Sequence, residues 1–166
     1  MEPAVVIRPA LRADLEGITE IYNDAVLTTT ATFDTEPRNP EAARAWFDAH
    51  TGRFAILVAD AGGVVAGWAS LSRWSDRPAY DDTAETSVYV RREFRGRGIG
   101  KRLQQAIVDQ AGTSRFHTLI ARIAGESTES LRLHERLGFG KIGTMKEVGR
   151  KFGRLLDVDI LQKMLD

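Results

Sequence analysis

The sequence predicts a single α/β domain built around a mixed β-sheet, a layout that can equally be classed as α+β. Three observations predict it. Apolar runs of strand length alternate with amphipathic stretches of helix length, in the order β-α-α-β-β-β-α-β-α-β-β. The 166 residues, 43% of them hydrophobic, suit one domain with a sizeable core. No repeat or long linker divides the chain, so we expect one domain over residues 1–166.

The first part of the chain should form one strand and two helices. Val5–Arg8 is a short apolar run and the expected first strand. Asp14 can cap a first helix, whose apolar residues recur every three or four positions. That helix should end near Thr28–Thr32, because β-branched residues are poor helix formers. The pair Asn39-Pro40 predicts the start of a second helix, since a capping side chain precedes a proline in the first turn.

The middle of the chain is predicted to hold three strands. Two apolar runs, Phe54–Asp60 and Val64–Ser72, are separated by Ala61–Gly63, a pattern typical of a β-hairpin. Trp74–Asp82 contains a proline and four charged residues, and it should be a loop. Ala84–Val90 is the next strand, and it leads directly into a basic, glycine-rich segment.

The last part of the chain should contain two helices and three strands. Ile99–Gln110 is amphipathic and is expected to form a helix that ends at Gly112. Ser127 can cap a further helix that ends at Gly138. The remaining strands are expected over Thr118–Ala124, Ile142–Met145 and Leu155–Leu161.

Composition excludes several classes of protein. The chain has 23 Lys+Arg and 23 Asp+Glu, and this zero net charge argues against a general binder of nucleic acid or membranes. No stretch approaches the ~20 apolar residues of a membrane span, and the segment Met1–Arg8 lacks a signal-peptide pattern. The absence of cysteine excludes disulfides, thiolate zinc sites and cysteine nucleophiles, and it fits a reducing, cytoplasmic location. Because no metal-ligand spacing occurs, we expect no metal site.

Residues 91–102 form a basic segment that ends in a glycine-rich turn. Six basic residues against one acidic residue give this segment a net charge of +5. A glycine turn at the start of a helix suits a phosphate group, because free backbone amides and the helix dipole both favour an anion. The spacing G-x-G-x-G matches neither the dinucleotide fingerprint nor the nucleotide-triphosphate loop. The alternative is a solvated, charged turn that binds no ligand and whose glycines only cap the helix.

The turn resembles a third motif. Arg95-x-x-Gly98-x-Gly100, placed between a strand and a helix, is similar to the R/Q-x-x-G-x-G/A signature of the GCN5-related N-acetyltransferases (GNAT). Further segments resemble the phosphinothricin / methionine sulfoximine acetyltransferase branch of that superfamily, and together they span nearly the whole chain. These segments are Thr28–Phe33, Glu36-Pro37, Glu85–Val90, Leu133–Phe139 and Lys151–Asp157.

The resemblance implies a GNAT fold with about seven strands and about four helices, in which strands 4 and 5 splay apart to admit acetyl-CoA. The pantetheine arm would pair with the strand-4 residues Val88, Tyr89 and Val90. The pyrophosphate would lie on the turn, which comprises Arg95, Gly96, Arg97, Gly98, Ile99, Gly100 and Lys101. Ser127 falls where the family usually has an asparagine that bonds the pantetheine, although Ser127 can equally be a simple helix cap.

Glu85 is the expected general base. An α-amino group has a reference pKa of about 8, so it must lose a proton before it attacks a thioester. Strand alternation places Glu85, Ser87 and Tyr89 on one face of the sheet. A carboxylate at the mouth of an apolar strand should be partly desolvated, which makes it a better base. The alternative is a solvated glutamate at a strand end.

His134 is the second catalytic candidate. Many members of the superfamily have a tyrosine here that is proposed to protonate the leaving thiolate, whereas the resembled branch has histidine. His134 lies three residues from both Leu131 and Leu137, and therefore on the inward face of its helix. It could act as an acid or a base near neutral pH, or it could be a buried histidine bonded to backbone.

The expected substrate-binding arginine is missing. In the resembled branch an arginine that directly follows an aromatic residue holds the substrate carboxylate, but here Trp74 is followed by Ser75. Arg73 or Arg77 could replace it. The full set of candidate substrate-binding residues is Phe33, Trp74, Ser75, Arg77, Tyr80, Glu85 and Ser87. The resemblance also implies a homodimer.

The resulting functional prediction is an N-acetyltransferase that uses acetyl-CoA and needs no metal. Its acceptor would be the α-amino group of a small amino acid or an analogue of the phosphinothricin, methionine sulfoximine or methionine sulfone type. An enzyme for protein N-termini or polyamines is one alternative, and a non-catalytic acyl-CoA-binding protein is another. A nucleic-acid-binding module is disfavoured, because only Phe94 is interleaved in the basic segment and single-strand binders stack several aromatic residues.

Overall fold

The computed structural model describes residues 3–166, so the first two residues of the segment examined for a signal peptide lie outside it. The seven strands are β1 (Val5–Pro9), β2 (Ile56–Ala61), β3 (Val65–Arg73), β4 (Thr83–Val90), β5 (Thr118–Ala124), β6 (Gly140–Lys151) and β7 (Arg154–Met164). The four α-helices are α1 (Leu15–Thr28), α2 (Pro40–Ala49), α3 (Ile99–Thr113) and α4 (Thr128–Arg136). The predicted order of elements is confirmed.

All seven strands form one mixed sheet in the order β1-β2-β3-β4-β5-β7-β6. Only the β4–β5 pair is parallel, and the neighbouring pairs are antiparallel. The two strands β6 and β7 are longer than the sequence pattern indicates. Most β6 residues are exposed, so this edge strand carries little of the apolar alternation on which a sequence-based prediction depends.

Helix ends follow the sequence in part. The Asn39 side chain accepts a hydrogen bond from the Ala42 N–H at 2.8 Å, as expected of a cap. The prediction for Asp14 is wrong, because its side chain makes no capping hydrogen bond to α1. The carboxylate instead accepts a hydrogen bond from the Arg8 guanidinium at 2.8 Å. Gly112 does not end α3 either. The helix continues to Thr113, since this glycine keeps ordinary helical geometry.

Two apolar layers cover the two faces of the sheet. On one face Ile107 and other α3 residues pack against Leu71 and its neighbours. On the other face Ile18 of α1 packs against Val58 and Trp68. The alternation predicted for β4 holds, because Val88 packs with the α3 layer and Tyr89 with the α1 layer. Within residues 3–166, no helix is both long and apolar enough to traverse a bilayer.

The sheet opens between its two parallel strands. Pairing of β4 with β5 covers Thr83, Ala84 and Glu85 and then ends, although β4 continues to Val90. Over the same stretch β4 stays paired with β3 as far as Val90. The splay that the resemblance implies between strands 4 and 5 is therefore present, and it begins directly after Glu85.

Candidate active site

The opening between β4 and β5 contains a narrow cavity of about 80 Å³. Its walls include Val88 and Tyr89 from β4 and Ile123 from β5. Ser127 and His134 line the same cavity, so residues placed far apart in the sequence meet here. The β4 residues that follow Glu85 have no ladder partner on the β5 side. An extended chain with polar groups can therefore bond to this free strand edge in the manner of an added strand.

The glycine-rich turn follows β4 and leads into α3. Gly96 and Gly98 both have φ of +76°, a conformation that only glycine adopts at low cost. The first backbone hydrogen bond of α3 runs from Arg102 N–H to Gly98 at 3.1 Å. The amides before Arg102 in the first turn consequently have no intrahelical acceptor and can bind an anion.

Gly100 leaves that turn open to a ligand. A Cβ added at Gly100 would meet Val90 at 3.5 Å and Leu133 at 3.8 Å, which are ordinary contacts. Protein packing therefore does not require glycine at this position. Alanine would also fit here, in agreement with the G/A that the last position of the signature allows. Arg97 and Lys101 extend from the same turn, and the Arg97 guanidinium lies 5.3 Å from the centroid of the Phe94 ring.

Acidic residues of α1 offset part of the basic segment. Arg91 pairs with Glu20 at 3.0 Å, and Arg92 pairs with Asp24 at 3.0 Å. Arg95 donates from Nε to the backbone oxygen at the end of β4 at 3.1 Å. The charge of +5 is thus partly offset by neighbouring carboxylates of α1.

A larger cavity of about 410 Å³ lies on the α1 side of the sheet. Three predicted substrate-site residues, Phe33, Glu85 and Ser87, line it. The two cavities adjoin, because Ser87, Tyr89 and Arg122 line both. Burial raises the pKa of the Tyr89 phenol, so this side chain stays neutral beside the cavity.

A segment over residues 30–38 covers the larger cavity and is attached to the rest of the protein by polar contacts. The Lys151 ammonium donates to the Thr32 carbonyl at 2.7 Å, and the Thr30 hydroxyl donates to Glu126 at 2.7 Å. The Phe33 ring lies so close to Gly149 that a Cβ added there would be 2.3 Å from it. Glycine in β6 therefore makes room for the aromatic ring that closes this side of the cavity.

Glu85 is held by an ion pair. Arg122 of β5 donates to both carboxylate oxygens, from Nε at 2.5 Å and from Nη2 at 2.9 Å. The Glu85 side chain is 17% exposed, which agrees with the expected partial burial, and that of Arg122 is 54% exposed. The pair raises the pKa of Arg122. Arg122 also lies 5.7 Å from the Trp74 ring, so Trp74 supports the pair from the outside.

His134 is buried, with 4% of its surface exposed. Its Nδ1 lies 2.7 Å from the Ser130 carbonyl, which can only accept, so Nδ1 carries the proton. Burial lowers the pKa of His134 below its ordinary value. The ring is therefore neutral at pH 7 and presents Nε2 as an acceptor. It also packs edge-on against Phe139, with a centroid distance of 5.1 Å.

Several predicted residues lie elsewhere. Trp74, Ser75, Arg77 and Tyr80 do not line the larger cavity. The Arg77 N–H donates to the Ser75 hydroxyl at 3.2 Å, so these two residues stabilise their own loop. The Ser127 side chain makes no capping bond at the start of α4, and it faces the narrow cavity instead.

Two arginines of the site were missed by the sequence reasoning. Arg122 did have a signal, because it is the one charged residue in the otherwise apolar run Thr118–Ala124. Arg38 had none, since it stands in a polar loop just before a helix cap. No group of three or more metal-ligating side chains occurs in the part of the chain that the structure describes.

Comparison with known proteins identifies the class. A sequence profile described as "Acetyltransferase (GNAT) family" matches residues 18–139. The chain is 45% identical over 162 residues to an L-methionine sulfoximine/L-methionine sulfone acetyltransferase of Pseudomonas paraeruginosa, covering 96% of this chain and 94% of that protein. Fold and sequence together define an acyltransferase. The chain belongs to the GNAT acetyltransferase family.

Solved structures agree with this assignment. A phosphinothricin acetyltransferase from Sinorhizobium meliloti in complex with AcCoA superposes with a TM-score of 0.93 at 39% identity, covering 97% of this chain and 88% of that one. A ribosomal-protein-alanine N-acetyltransferase from Brucella melitensis superposes with a TM-score of 0.94 at 38% identity, covering 96% and 99%.

Proposed function

We propose that the protein transfers an acetyl group from acetyl-CoA to the α-amino group of a small amino acid or an analogue of the phosphinothricin, methionine sulfoximine or methionine sulfone type. One observation carries the proposal. A narrow cavity along a free strand edge meets a larger, charged cavity, and Glu85 stands where the sheet opens between them. The names of the similar proteins support both reactants.

Acetyl-CoA would occupy the narrow cavity. The free edge at Val88–Val90 would bond the pantetheine arm, and the amides from Gly96 to Lys101 would bind the pyrophosphate. Arg95 and Arg97 would add charge beside that phosphate site. Ser127 would face the pantetheine across the cavity. The complex of the Sinorhizobium meliloti neighbour with AcCoA supports this use of the fold.

Glu85 would accept the proton of the acceptor amine. Its pair with Arg122 holds the carboxylate in place in the wall of the larger cavity. The amine nitrogen then attacks the thioester carbon, a C–N bond forms and the C–S bond breaks. The second proton that the nitrogen loses passes to the sulfur, so CoA leaves as the thiol. His134 lines the narrow cavity and, when neutral, has Nε2 as an acceptor, so it fits the positioning or acceptance of a proton rather than its donation.

The decisive experiment is a thiol-release assay. Because the chain contains no cysteine, a thiol reagent reports only the CoA that is set free. The panel would hold the common amino acids, methionine sulfone, methionine sulfoximine and phosphinothricin. We expect turnover with one or more of these amino acids. Binding of acetyl-CoA without CoA release on any amine would contradict the enzyme and support a non-catalytic acyl-CoA-binding protein.

Acetylation of a protein N-terminus is the second candidate. The Brucella melitensis neighbour is named a ribosomal-protein-alanine N-acetyltransferase, and Ser75 stands where the resembled branch has its carboxylate-binding arginine. Inhibition separates the two candidates. Free amino acids would compete with an N-terminal peptide only if the cavity recognises their carboxylate.

We further propose one cytoplasmic domain over the 166 residues that forms a homodimer and has no nucleic-acid or membrane partner. Exposed apolar side chains on β6 and β7 support self-association through that edge: Ile142, Val148, Leu155 and Met164. The absence of cysteine fits a reducing compartment. Light scattering coupled to size exclusion would measure the mass directly, and a mass near that of one 18.4 kDa chain would contradict the dimer.

A further inference from the structure

Arg38 places an aromatic-stacked guanidinium in the wall of the larger cavity. The guanidinium carbon lies 4.1 Å from the centroid of the Tyr22 ring and 5.0 Å from that of Trp46. Contacts with two aromatic rings hold the planar group and stabilise its charge.

The backbone at Arg38 is fixed as well. Its N–H donates to the Asn23 side-chain oxygen at 2.8 Å, and the Asn23 amide donates back to the Arg38 carbonyl at 3.0 Å. Asn23 belongs to α1, which packs firmly on the sheet. Both ends of this arginine are consequently positioned before any ligand arrives, as specific recognition requires.

No carboxylate within residues 3–166 pairs with the Arg38 guanidinium. It forms no ion pair or hydrogen bond there, and its Nη1 is buried without a partner. The other charged groups in the cavity wall are already engaged. Glu85 is paired with Arg122, and the Asp34 carboxylate accepts from the Tyr22 hydroxyl. A partly buried cation without a counter-ion is costly unless a ligand supplies one.

We infer that Arg38 binds the carboxylate of the acceptor amino acid. This inference rests on the proposed function, and it names the group that replaces the arginine missing after Trp74. A guanidinium presents parallel N–H donors that match a carboxylate. In this arrangement the carboxylate of an α-amino acid binds Arg38 and its amine lies toward Glu85. The two ends of the substrate then each meet a residue of opposite charge in the same cavity.

The first test compares methionine sulfone with its carboxamide, which keeps the amine and the side chain but lacks the carboxylate. The wild type should prefer the acid, and Arg38→Met should lower kcat/KM for the acid by about 100-fold while leaving the amide nearly unchanged. Arg44→Met is the matched control, because Arg44 is exposed on the neighbouring helix α2. It should behave as the wild type. Retention of the preference for the acid by Arg38→Met would overturn the inference.

A second test measures binding without turnover. Trp46 lies beside Arg38, so its fluorescence can report the binding of methionine sulfone in the presence of CoA. The Arg38→Lys variant keeps the positive charge but loses the parallel N–H donors of the guanidinium. It should bind methionine sulfone with an affinity between those of the wild type and Arg38→Met. Carboxylate-dependent binding without any CoA release would refute the proposed reaction and support this inference. Equal binding of acid and amide by the wild type would refute the inference and leave the acetyl transfer standing.

Discussion

The two adjoining cavities differ in what builds them. The narrow one between β4 and β5, together with the glycine-rich turn that follows β4, offers a ligand mainly backbone groups: an unpaired strand edge, two glycines with positive φ and the free amides of a helix start. The larger one is defined by side chains from β3 to β7 and from the segment that covers them. A site for a cofactor with a fixed shape can be made from backbone, whereas a site that selects among amines needs specific side chains.

This difference separates two kinds of mutational response. Changes in the larger cavity should alter turnover and selectivity with little effect on the affinity for acetyl-CoA. Changes in the glycine-rich turn should alter that affinity or the stability of the protein. The following variants test this division, in order of decreasing effect.

The largest effect is expected for Glu85→Gln. It removes the proton acceptor but keeps the shape of the side chain, so kcat should fall by about 1000-fold, within the range known for general bases. The affinity for acetyl-CoA, measured by calorimetry, should stay within about threefold of the wild type, because the change lies outside the turn. Glu135→Gln, an exposed position on α4, is the control. A Glu85→Gln variant with near-normal kcat would show that another group takes the proton.

Alanine at Gly98 and alanine at Gly100 should have different effects on the protein. Gly98 has φ of +76° and nothing within 4 Å of an added Cβ, so alanine should cost about 1–2 kcal/mol in the free energy of unfolding through backbone strain alone. Gly100 is helical, so alanine should leave stability equal or higher by up to about 1 kcal/mol. Its affinity for acetyl-CoA should stay within about threefold of the wild type, because the last position of the R/Q-x-x-G-x-G/A signature admits alanine. Urea unfolding and calorimetry measure the two quantities. A loss of stability in Gly100→Ala as large as that in Gly98→Ala would contradict the division between a strained and a helical glycine.

The smallest effect concerns the pH dependence of stability at His134. Its folded pKa is lowered by burial from the ordinary value of 6.5, so below about pH 6.5 the unfolded chain binds a proton that the folded protein takes up less readily. The free energy of unfolding should therefore fall as the pH is lowered from 7.5 toward 5. His134→Asn should flatten that slope. Burial lowers the pKa of His50 in the same direction, so His50→Asn serves for comparison. If neither variant changed the pH dependence of the free energy of unfolding, the lowered pKa of the two buried histidines would be contradicted.

The contrast also explains what could be predicted from the sequence. One short stretch, Ala84–Gln110, contains the strand, the glycine-rich turn and the start of α3 in succession. A local sequence pattern can therefore predict this part of the site. The larger cavity combines Arg38 and Arg122 with β6 and β7, and no local pattern brings these together. Ion pairs such as Glu85–Arg122 depend on strand register between β4 and β5, which composition and periodicity do not determine.

Glu85 is the last β4 residue that pairs with β5, and this position limits how the protein can vary in length. The strand sets the opening of the sheet and the direction of the base at the same time. Because side chains alternate along a strand, one residue inserted or deleted between Thr83 and Glu85 would turn Glu85 to the α3 side. The preceding loop Trp74–Asp82 lies outside the strand pairing, so a change in its length does not by itself alter the alternation of side chains along β4.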